Sequence, residues 1–257
     1  SCQINMELNL HSFFFCIIII SMYQDFNNLS DFYKTNIGRS LKNLISEKIK
    51  KYVFLYDHEH VGFFGFSEPY SDLLKNKKIK VFNFYPAKLG ISKNNPKENS
   101  LNILHNEEQL PAEDLFFNHL VGVHYIENTS NLKKTLRELW RVLAPEGKIY
   151  LIIPNKKSSW SMSATSPFSS GFGFSKKQIS DLLEENFYDI QFIDRLVYFP
   201  PWKLKILSNH YLLFEKLGSY FWRFFNGVYL CVAKKRIYST TSLKPSGILR
   251  KTKVISR

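Results

Sequence analysis

The fold is decided by residues 136–151, which read LRELWRVLAPEGKIYL. The first half belongs to a helical pattern from Asn131 to Leu143, because apolar residues recur there at steps of three and four. Those residues are Leu132, Leu136, Leu139, Trp140 and Leu143. Pro145 and Gly147 end the helix, and the apolar run at 148–154 then predicts a strand. The segment therefore predicts a helix, a tight turn and a buried strand in direct succession.

Short apolar segments alternate with helical patterns on both sides of this stretch. Those that predict strands are 61–66, 79–85, 101–105, 116–124, 190–199 and 228–233. Helices are predicted from Ser175 to Asn186 and through Phe221 to Phe224. Strands that alternate with helices are typical of a parallel sheet with right-handed crossovers. We therefore expect an α/β fold whose strands are covered on both faces.

Two further segments flank this alternation. Between Leu29 and Tyr52 the apolar spacing predicts two amphipathic helices hinged near Gly38, with Ser30 and Asp31 able to cap the start. Residues 158–173 are rich in serine and glycine and predict a long loop, and loops of that length are usually functional or mobile.

The composition is that of a globular protein, with 44% hydrophobic and 22% charged residues. Three scattered cysteines exclude a disulfide framework and a zinc cluster, so we expect a cytoplasmic protein. No metal site is expected either, because His58 and His60 lack a third ligand. The net charge is +13, and residues 234–257 hold eight basic residues and no acidic one. Nucleic acid could bind such a tail, but a solvated tail is the favoured interpretation.

Three regions follow from these patterns. The apolar run at 13–20 is too short to span a bilayer, and no basic residue precedes it as in a secretory signal. We therefore interpret 1–21 as a non-native or disordered extension, with Met22 as the natural start. Residues 22–236 are expected to form one domain, and 237–257 a basic disordered tail. No membrane span is expected, and the oligomeric state is not predicted.

Residues 136–151 resemble the helix-turn-strand signature of the class I S-adenosylmethionine-dependent methyltransferases, in which L-R-E-x-x-R-V-L precedes a P-G-G-type turn. The EEQLP sequence at 107–111 is similar to the turn after the family's third strand, and VHYIE at 123–127 to the segment after its fourth. Residues 23–38 resemble the opening of a bacterial, type 11-like subgroup, as do the pairs Pro69-Tyr70 and Pro154-Asn155. The resemblance implies a Rossmann-like three-layer sandwich, mostly parallel with an antiparallel C-terminal strand. It also implies S-adenosylmethionine as cofactor and methyl transfer to an acceptor that the sequence does not identify.

In this family the cofactor lies across the carboxyl ends of the strands. The resemblance therefore implies that Gly65, Phe66 and Ser67 form the turn beside its amino-acid part. Tyr85 stands near the end of the second strand, where the family commonly has an acidic residue for the ribose hydroxyls. The sequence thus departs from the family at this position, and its glycine turn is reduced to Gly62-x-x-Gly65.

The resemblance also implies an adenine site after the third strand. Asn106 and Glu107 would contact the exocyclic amine, and Leu110 would pack on the ring.

Methyl transfer needs alignment and desolvation, and only sometimes a base for the acceptor proton. His124 is the candidate base, with Tyr125 and Glu127 beside it, although a ligand-lining or helix-capping role is the more ordinary interpretation. Trp160 and Phe168 are candidates for a lid over the acceptor. The aromatic residues of 198–222 are expected to fill the core.

Three functions are compatible with the sequence. The first is a methyltransferase that uses S-adenosylmethionine. The second is a catalytically silent relative that binds a partner, favoured by the reduced glycine turn and the missing carboxylate. The third is an RNA-binding or RNA-modifying protein that uses the basic tail.

Overall fold

The structure is a computed structural model that describes residues 25–74, 78–90, 101–163, 165–169, 171–201, 210–222 and 224–237. The expectations for residues 1–21 and for the tail after 237 lie outside the described residues.

The described residues form seven strands and six α-helices in a mostly alternating order. The strands are β1 His60–Gly65, β2 Lys80–Pro86, β3 Leu101–His105, β4 Phe117–Val123, β5 Leu143–Pro154, β6 Tyr188–Leu196 and β7 Val228–Lys235. The helices are α1 Phe26–Lys34, α2 Asn36–Tyr52, α3 Leu132–Val142, α4 Ser159–Met162, α5 Lys176–Glu185 and α6 Tyr211–Phe221. Short 3₁₀ turns follow β1 at Ser71–Leu74 and β4 at Ile126–Asn128.

All seven strands belong to one sheet in the order β3-β2-β1-β4-β5-β7-β6. The pairs β1·β2, β2·β3, β1·β4 and β4·β5 are parallel. Strand β7 runs antiparallel to both β5 and β6. The predicted fold is therefore confirmed: the protein is a Rossmann-like α/β sandwich whose sheet is parallel except for its C-terminal strand.

Two apolar layers cover the sheet. One contains residues of α1 and α2 packed on the inner strands, together with Trp160 and Phe168. The other contains α3 and α5 against the opposite face of the same strands. Because a parallel sheet is buried on both faces, its strands are nearly continuous in apolar residues. Phe63 and Phe64, adjacent in β1, accordingly belong to different layers.

The break between the N-terminal helices lies at Thr35 and not near Gly38 as predicted. The Thr35 hydroxyl donates to the Phe32 carbonyl and accepts from the Gly38 amide, so it closes one helix and caps the next. Gly38 is needed for close packing, because a Cβ there would stand 2.1 Å from the Phe32 carbonyl oxygen. The start of α1 is capped by Asp25, not by Ser30 or Asp31.

Two later predictions differ from the structure in part. The last helix spans Tyr211–Phe221, whereas the sequence pattern predicted it through Phe221 to Phe224, and several of its aromatic residues are exposed instead of filling the core. The predicted loop at 158–173 contains the short helix α4, whose Trp160 is buried. None of the described helices combines the length and the apolar character that crossing a membrane requires.

Candidate active site

The carboxyl ends of β1 and β4 meet at a glycine. Gly65 is the register partner of Val123 and has φ of +82°. A Cβ at Gly65 would lie 2.2 Å from the Val123 carbonyl oxygen, and the next amide, of Phe66, donates to that oxygen at 2.8 Å. The predicted glycine turn is therefore present. The role of Gly65 in the described conformation is to let two strand ends approach closely.

Aromatic rings cover this turn. We define the rim cluster as Phe26 and Tyr33 of α1 with Phe66 and Tyr85 of the sheet edge, all of them buried. The ring of Tyr33 is stacked on that of Phe66 with centroids 5.4 Å apart. Phe26 contacts Phe66 at 5.1 Å and Tyr85 at 6.0 Å between centroids. Two of the predicted cofactor residues, Phe66 and Tyr85, thus lie together, and the rings of α1 pack against them.

A buried hydrogen-bonded chain runs behind the rim cluster. The Tyr70 hydroxyl donates to the Tyr33 hydroxyl at 2.9 Å, and the Tyr33 oxygen lies 3.0 Å from His124 Nε2. His124 Nδ1 lies 3.2 Å from Glu127 Oε1. With the proton of His124 on Nδ1, that nitrogen donates to Glu127 and Nε2 accepts from Tyr33. Elements far apart in the chain therefore share one polar network.

The surroundings of this chain are apolar. Burial raises the pKa of Tyr33, and the hydrogen bond from Tyr70 opposes that rise only in part. Burial likewise raises the pKa of Tyr70 well above its ordinary value. The imidazole of His124 is stacked on Phe168 with centroids 4.6 Å apart, and its backbone has φ of +53°. Such a conformation is uncommon for residues other than glycine and places the side chain under the rim cluster.

The predicted adenine residues do not converge. The Glu107 carboxylate accepts from Thr129 Oγ1 at 3.0 Å and from the Ser130 amide at 3.1 Å, so it ties the end of β3 to the loop after β4. Asn106 is exposed and accepts from the Glu108 amide. Leu110 belongs to the layer of α3, whereas the rim cluster belongs to the layer of α1.

The backbone of Leu110 is held by side chains of α3. Its amide donates to Glu138 and its carbonyl accepts from Arg141. Both residues are in the LRELWRVL segment, which therefore fastens the turn after β3 to α3.

Several buried polar atoms near the strand ends have no hydrogen-bond partner, among them His105 Nε2, the Tyr125 hydroxyl and Glu127 Oε2. Each is costly without a partner. Burial lowers the pKa of His105 and raises that of Tyr125. The edge after β3 and β4 therefore contains unsatisfied polar groups, as a site for a polar ligand does.

The predicted lid residues lie in the core. The Trp160 indole N–H donates to the Phe199 carbonyl at 2.6 Å, and Phe168 packs between Trp160 and His124. Sequence reasoning missed Phe26, Tyr33 and Tyr70 as site residues. Their one available signal was the position of Tyr33 and Tyr70 within segments that resemble the methyltransferase subgroup.

A cavity of about 510 Å³ lies between α2, β6 and α6. Charged residues line most of it: Glu47, Lys48, Lys176, Asp194, Arg195, Glu215 and Lys216. Burial raises the pKa of Asp194, but the pairing with Lys48 and the hydrogen bonds from Tyr52 and the Arg195 amide together outweigh this and lower it overall. None of the predicted cofactor residues lines this cavity.

The comparisons with known proteins agree with this geometry. The model of a family described as "Methyltransferase domain" matches residues 65–151, from the glycine of β1 to the middle of β5. This range contains the glycine turn, His124 and the LRELWRVL helix. This part of the chain is similar to the methyltransferase family. Among the curated proteins, no significant match was found.

Solved structures resemble the chain over most of its length. A methyltransferase from Thermotoga maritima, titled a possible histamine N-methyltransferase, has TM-score 0.60 and 15% identity, covering 82% of this chain and 95% of that one. A methyltransferase from Aquifex aeolicus has TM-score 0.56 and 16% identity over 83% and 100% of the chains. The geranyl diphosphate C-methyltransferase of Streptomyces coelicolor, solved with S-adenosyl-L-homocysteine, has TM-score 0.54 and 14% identity over 75% and 78%. At these identities the likeness shows the fold.

The similarity of residues 65–151 to the methyltransferase family supports S-adenosylmethionine as the cofactor. Polar groups suited to such a ligand are present at the strand ends, in the His124–Glu127 pair and the unpartnered atoms near it. The rings of Phe26 and Tyr33, however, pack on Phe66, the residue that follows Gly65 in the turn. The residues therefore fit the cofactor only in a conformation in which the rings of α1 have moved away.

Proposed function

We propose that the protein transfers methyl groups from S-adenosylmethionine to an acceptor, and that the described conformation is its closed form. One observation carries the proposal: the buried His124–Glu127 pair lies at the edge where the methyltransferase domain has its glycine turn. When bound, the cofactor supplies an electrophilic methyl group for in-line displacement. The acceptor is not identified, and the cytoplasmic location stays a prediction.

The cofactor-facing residues under this proposal are Gly65, Phe66, Ser67 and Tyr85. The phenol of Tyr85 stands where the family has a carboxylate, and a neutral hydroxyl can donate or accept one hydrogen bond to a ribose. Because burial raises the pKa of Tyr85, its hydroxyl stays protonated. Asn106 and Glu107 are proposed for the adenine side. Leu110 contributes by holding the turn after β3, not by direct contact.

Opening requires α1 to withdraw Phe26 and Tyr33 together. Both rings come from this one helix of nine residues, so a single rigid movement would clear the space over Phe66. The same movement would remove the Tyr33 hydroxyl from His124 Nε2. That nitrogen could then take a proton from an acceptor, while Glu127 holds the opposite side of the ring.

The test is calorimetric titration with S-adenosylhomocysteine for the wild type and for Tyr33→Ala and Phe26→Ala. If closure competes with the ligand, both variants should bind more tightly than the wild type, because a larger fraction is open. Tyr56→Ala is the control, since Tyr56 is exposed and distant from the rim cluster. Absence of binding at millimolar ligand in the wild type and in both rim variants would refute the proposal.

A second candidate function is supported by the rim cluster itself. A catalytically silent relative would need no cofactor space, and its core would be completed by the packed rings and by Tyr85 in place of an acid. In that case Tyr33→Ala and Phe26→Ala should lose stability without gaining any affinity for S-adenosylhomocysteine. The same titration therefore separates the two functions.

A further inference from the structure

Helix α6 and the residues after it expose an apolar surface. We define the α6 patch as the outward side chains of this segment, which are Leu212, Leu213, Leu217, Tyr220, Phe221, Trp222, Phe224 and Phe225. Tyr220 is 81% exposed, Phe221 68% and Phe224 74%. Single exposed apolar residues are ordinary, whereas a contiguous set of this size marks an interaction surface.

The opposite face of α6 is firmly attached to the domain. The Glu215 carboxylate accepts from the amides of Val197 and Tyr198, at 2.9 and 2.7 Å. Gly218 is buried so closely on Tyr198 that a Cβ there would lie 2.3 Å from the Tyr198 Cβ. These contacts fix the orientation of the helix, so its other face, which carries the patch, points outward.

Charge distinguishes between the partners that this patch would accept. By sequence, residues 202–225 contain four basic residues, Lys203, Lys205, Lys216 and Arg223, and one acidic residue, Glu215. Glu215 points inward to the backbone of β6's end, and the nearby Asp194 is paired with Lys48. Arg195 lies over the ring of Phe224 at 5.2 Å. Among the described side chains, Arg195 and the exposed Lys216 bring positive charge to the rings, whereas the carboxylates of Glu215 and Asp194 are engaged by the backbone and by Lys48.

We propose that the α6 patch docks on an anionic lipid bilayer. Aromatic and leucine side chains on a helix with lysine or arginine beside them are typical of helices that lie in the membrane interface. At 11 residues, α6 is only about 16 Å long, too short to cross a hydrocarbon core of about 30 Å. A second copy of the chain is disfavoured as occupant, because it brings the same net charge of +13.

The position of the patch is consistent with this use. The segment leads directly into β7, whose first residue, Val228, pairs with Pro154 at the carboxyl end of β5. The patch therefore lies on the same edge of the sheet as the candidate active site. Docking through it would turn that edge toward the bilayer.

The proposal is tested by flotation of the full chain with vesicles of phosphatidylcholine containing phosphatidylglycerol, and with phosphatidylcholine alone. We expect binding to the anionic vesicles, weakened by salt. The double variant Tyr220→Ser, Phe221→Ser should lower the affinity at least about tenfold, because two interfacial rings are lost.

The matched control is Phe54→Ser, Tyr56→Ser, which removes the same two residue types from another exposed site, 71% and 76% exposed. It should leave vesicle binding unchanged, and thermal unfolding should show both double variants folded. Three results would overturn the proposal: no binding to anionic vesicles, equal effects of the two double variants, or equal binding to neutral vesicles. Loss of a concentration-dependent dimer in the patch variant, with vesicle binding unchanged, would overturn it in favour of self-association.

Discussion

The hydroxyl of Tyr33 lies 3.0 Å from Nε2 of His124, although 91 residues separate them in the chain. Tyr33 belongs to the N-terminal helix α1, and His124 follows the central strand β4. Their contact joins the helix that covers the sheet edge to the residue that the sequence offers as a catalytic base. Movement of α1 away from the sheet edge would therefore also remove the hydrogen-bond partner of His124 Nε2.

Substitution Tyr33→Phe should destabilise the protein by about 1–3 kcal/mol, because the Tyr70 hydroxyl and His124 Nε2 each lose a buried partner. The ring stack on Phe66 is kept. Urea unfolding measures the change. Tyr52→Phe is the control, since its hydroxyl bonds to Asp194 in a partly exposed place, and it should cost less. Equal losses would contradict a special role for the buried chain.

Gly65→Ala should be far more damaging than Gly90→Ala. Both glycines have positive φ, +82° and +78°, so each substitution carries a backbone cost of about 1–2 kcal/mol. At Gly65 the added Cβ also meets the Val123 carbonyl, whereas at Gly90 it meets nothing within 4 Å. We expect a loss of about 3 kcal/mol or more at Gly65. Equal shifts of the unfolding midpoint would show that the strand ends separate easily.

Glu107→Gln should lower the free energy of unfolding by about 1.5–3 kcal/mol, because its carboxylate accepts charge-assisted bonds from Thr129 and Ser130. The neighbouring Glu108→Gln removes only an exposed ion pair with Lys134, worth at most about 1 kcal/mol. Denaturant unfolding compares the two. A neutral effect at Glu107 would instead indicate a carboxylate that serves a ligand and not the fold.

Lys235 should make stability depend on pH. Burial lowers its pKa from 10.5 to about 8, while its ammonium donates to the Leu143 carbonyl at 2.6 Å. Between these pKa values the unfolded chain holds the proton and the folded chain does not, so stability rises with pH from about 8 to 10.5. Relative to Lys235→Met, the wild type should therefore gain stability across this window. A difference between the two that does not vary with pH would contradict the lowered pKa.

Local pattern was sufficient for the elements whose neighbours are close in sequence. The helix at 131–143 was predicted to within a residue at each end, because α3 has one apolar stripe. Strand β5 begins at Leu143, five residues before the predicted start at 148, so Pro145 and Gly147 lie inside the strand and not in a turn before it. The hinge of the N-terminal helices was misplaced because a glycine was taken as the break. The break is made by the Thr35 side chain, which bonds to both helices.

Burial of single side chains could not be predicted in the same way. Trp160 and Phe168 stand in a serine- and glycine-rich stretch typical of an exposed loop, yet Trp160 contacts α1 and the Phe199 carbonyl, and Phe168 packs on His124. The aromatic residues of α6 were predicted to be buried but are largely exposed, since that helix is apolar on nearly all sides and only one side meets the domain.

The sequence by itself determined the order of strands and helices, the methyltransferase likeness and the glycine turn, because each depends on residues adjacent in the chain. Only the tertiary structure decided that Tyr33 and Phe26 pack on Phe66, that Glu107 is engaged by Thr129, and that α6 turns its rings outward. These contacts join distant segments, and their formation depends on how the helices pack on the sheet. Periodicity records that a face is apolar, but the surface which covers it is supplied by the rest of the fold.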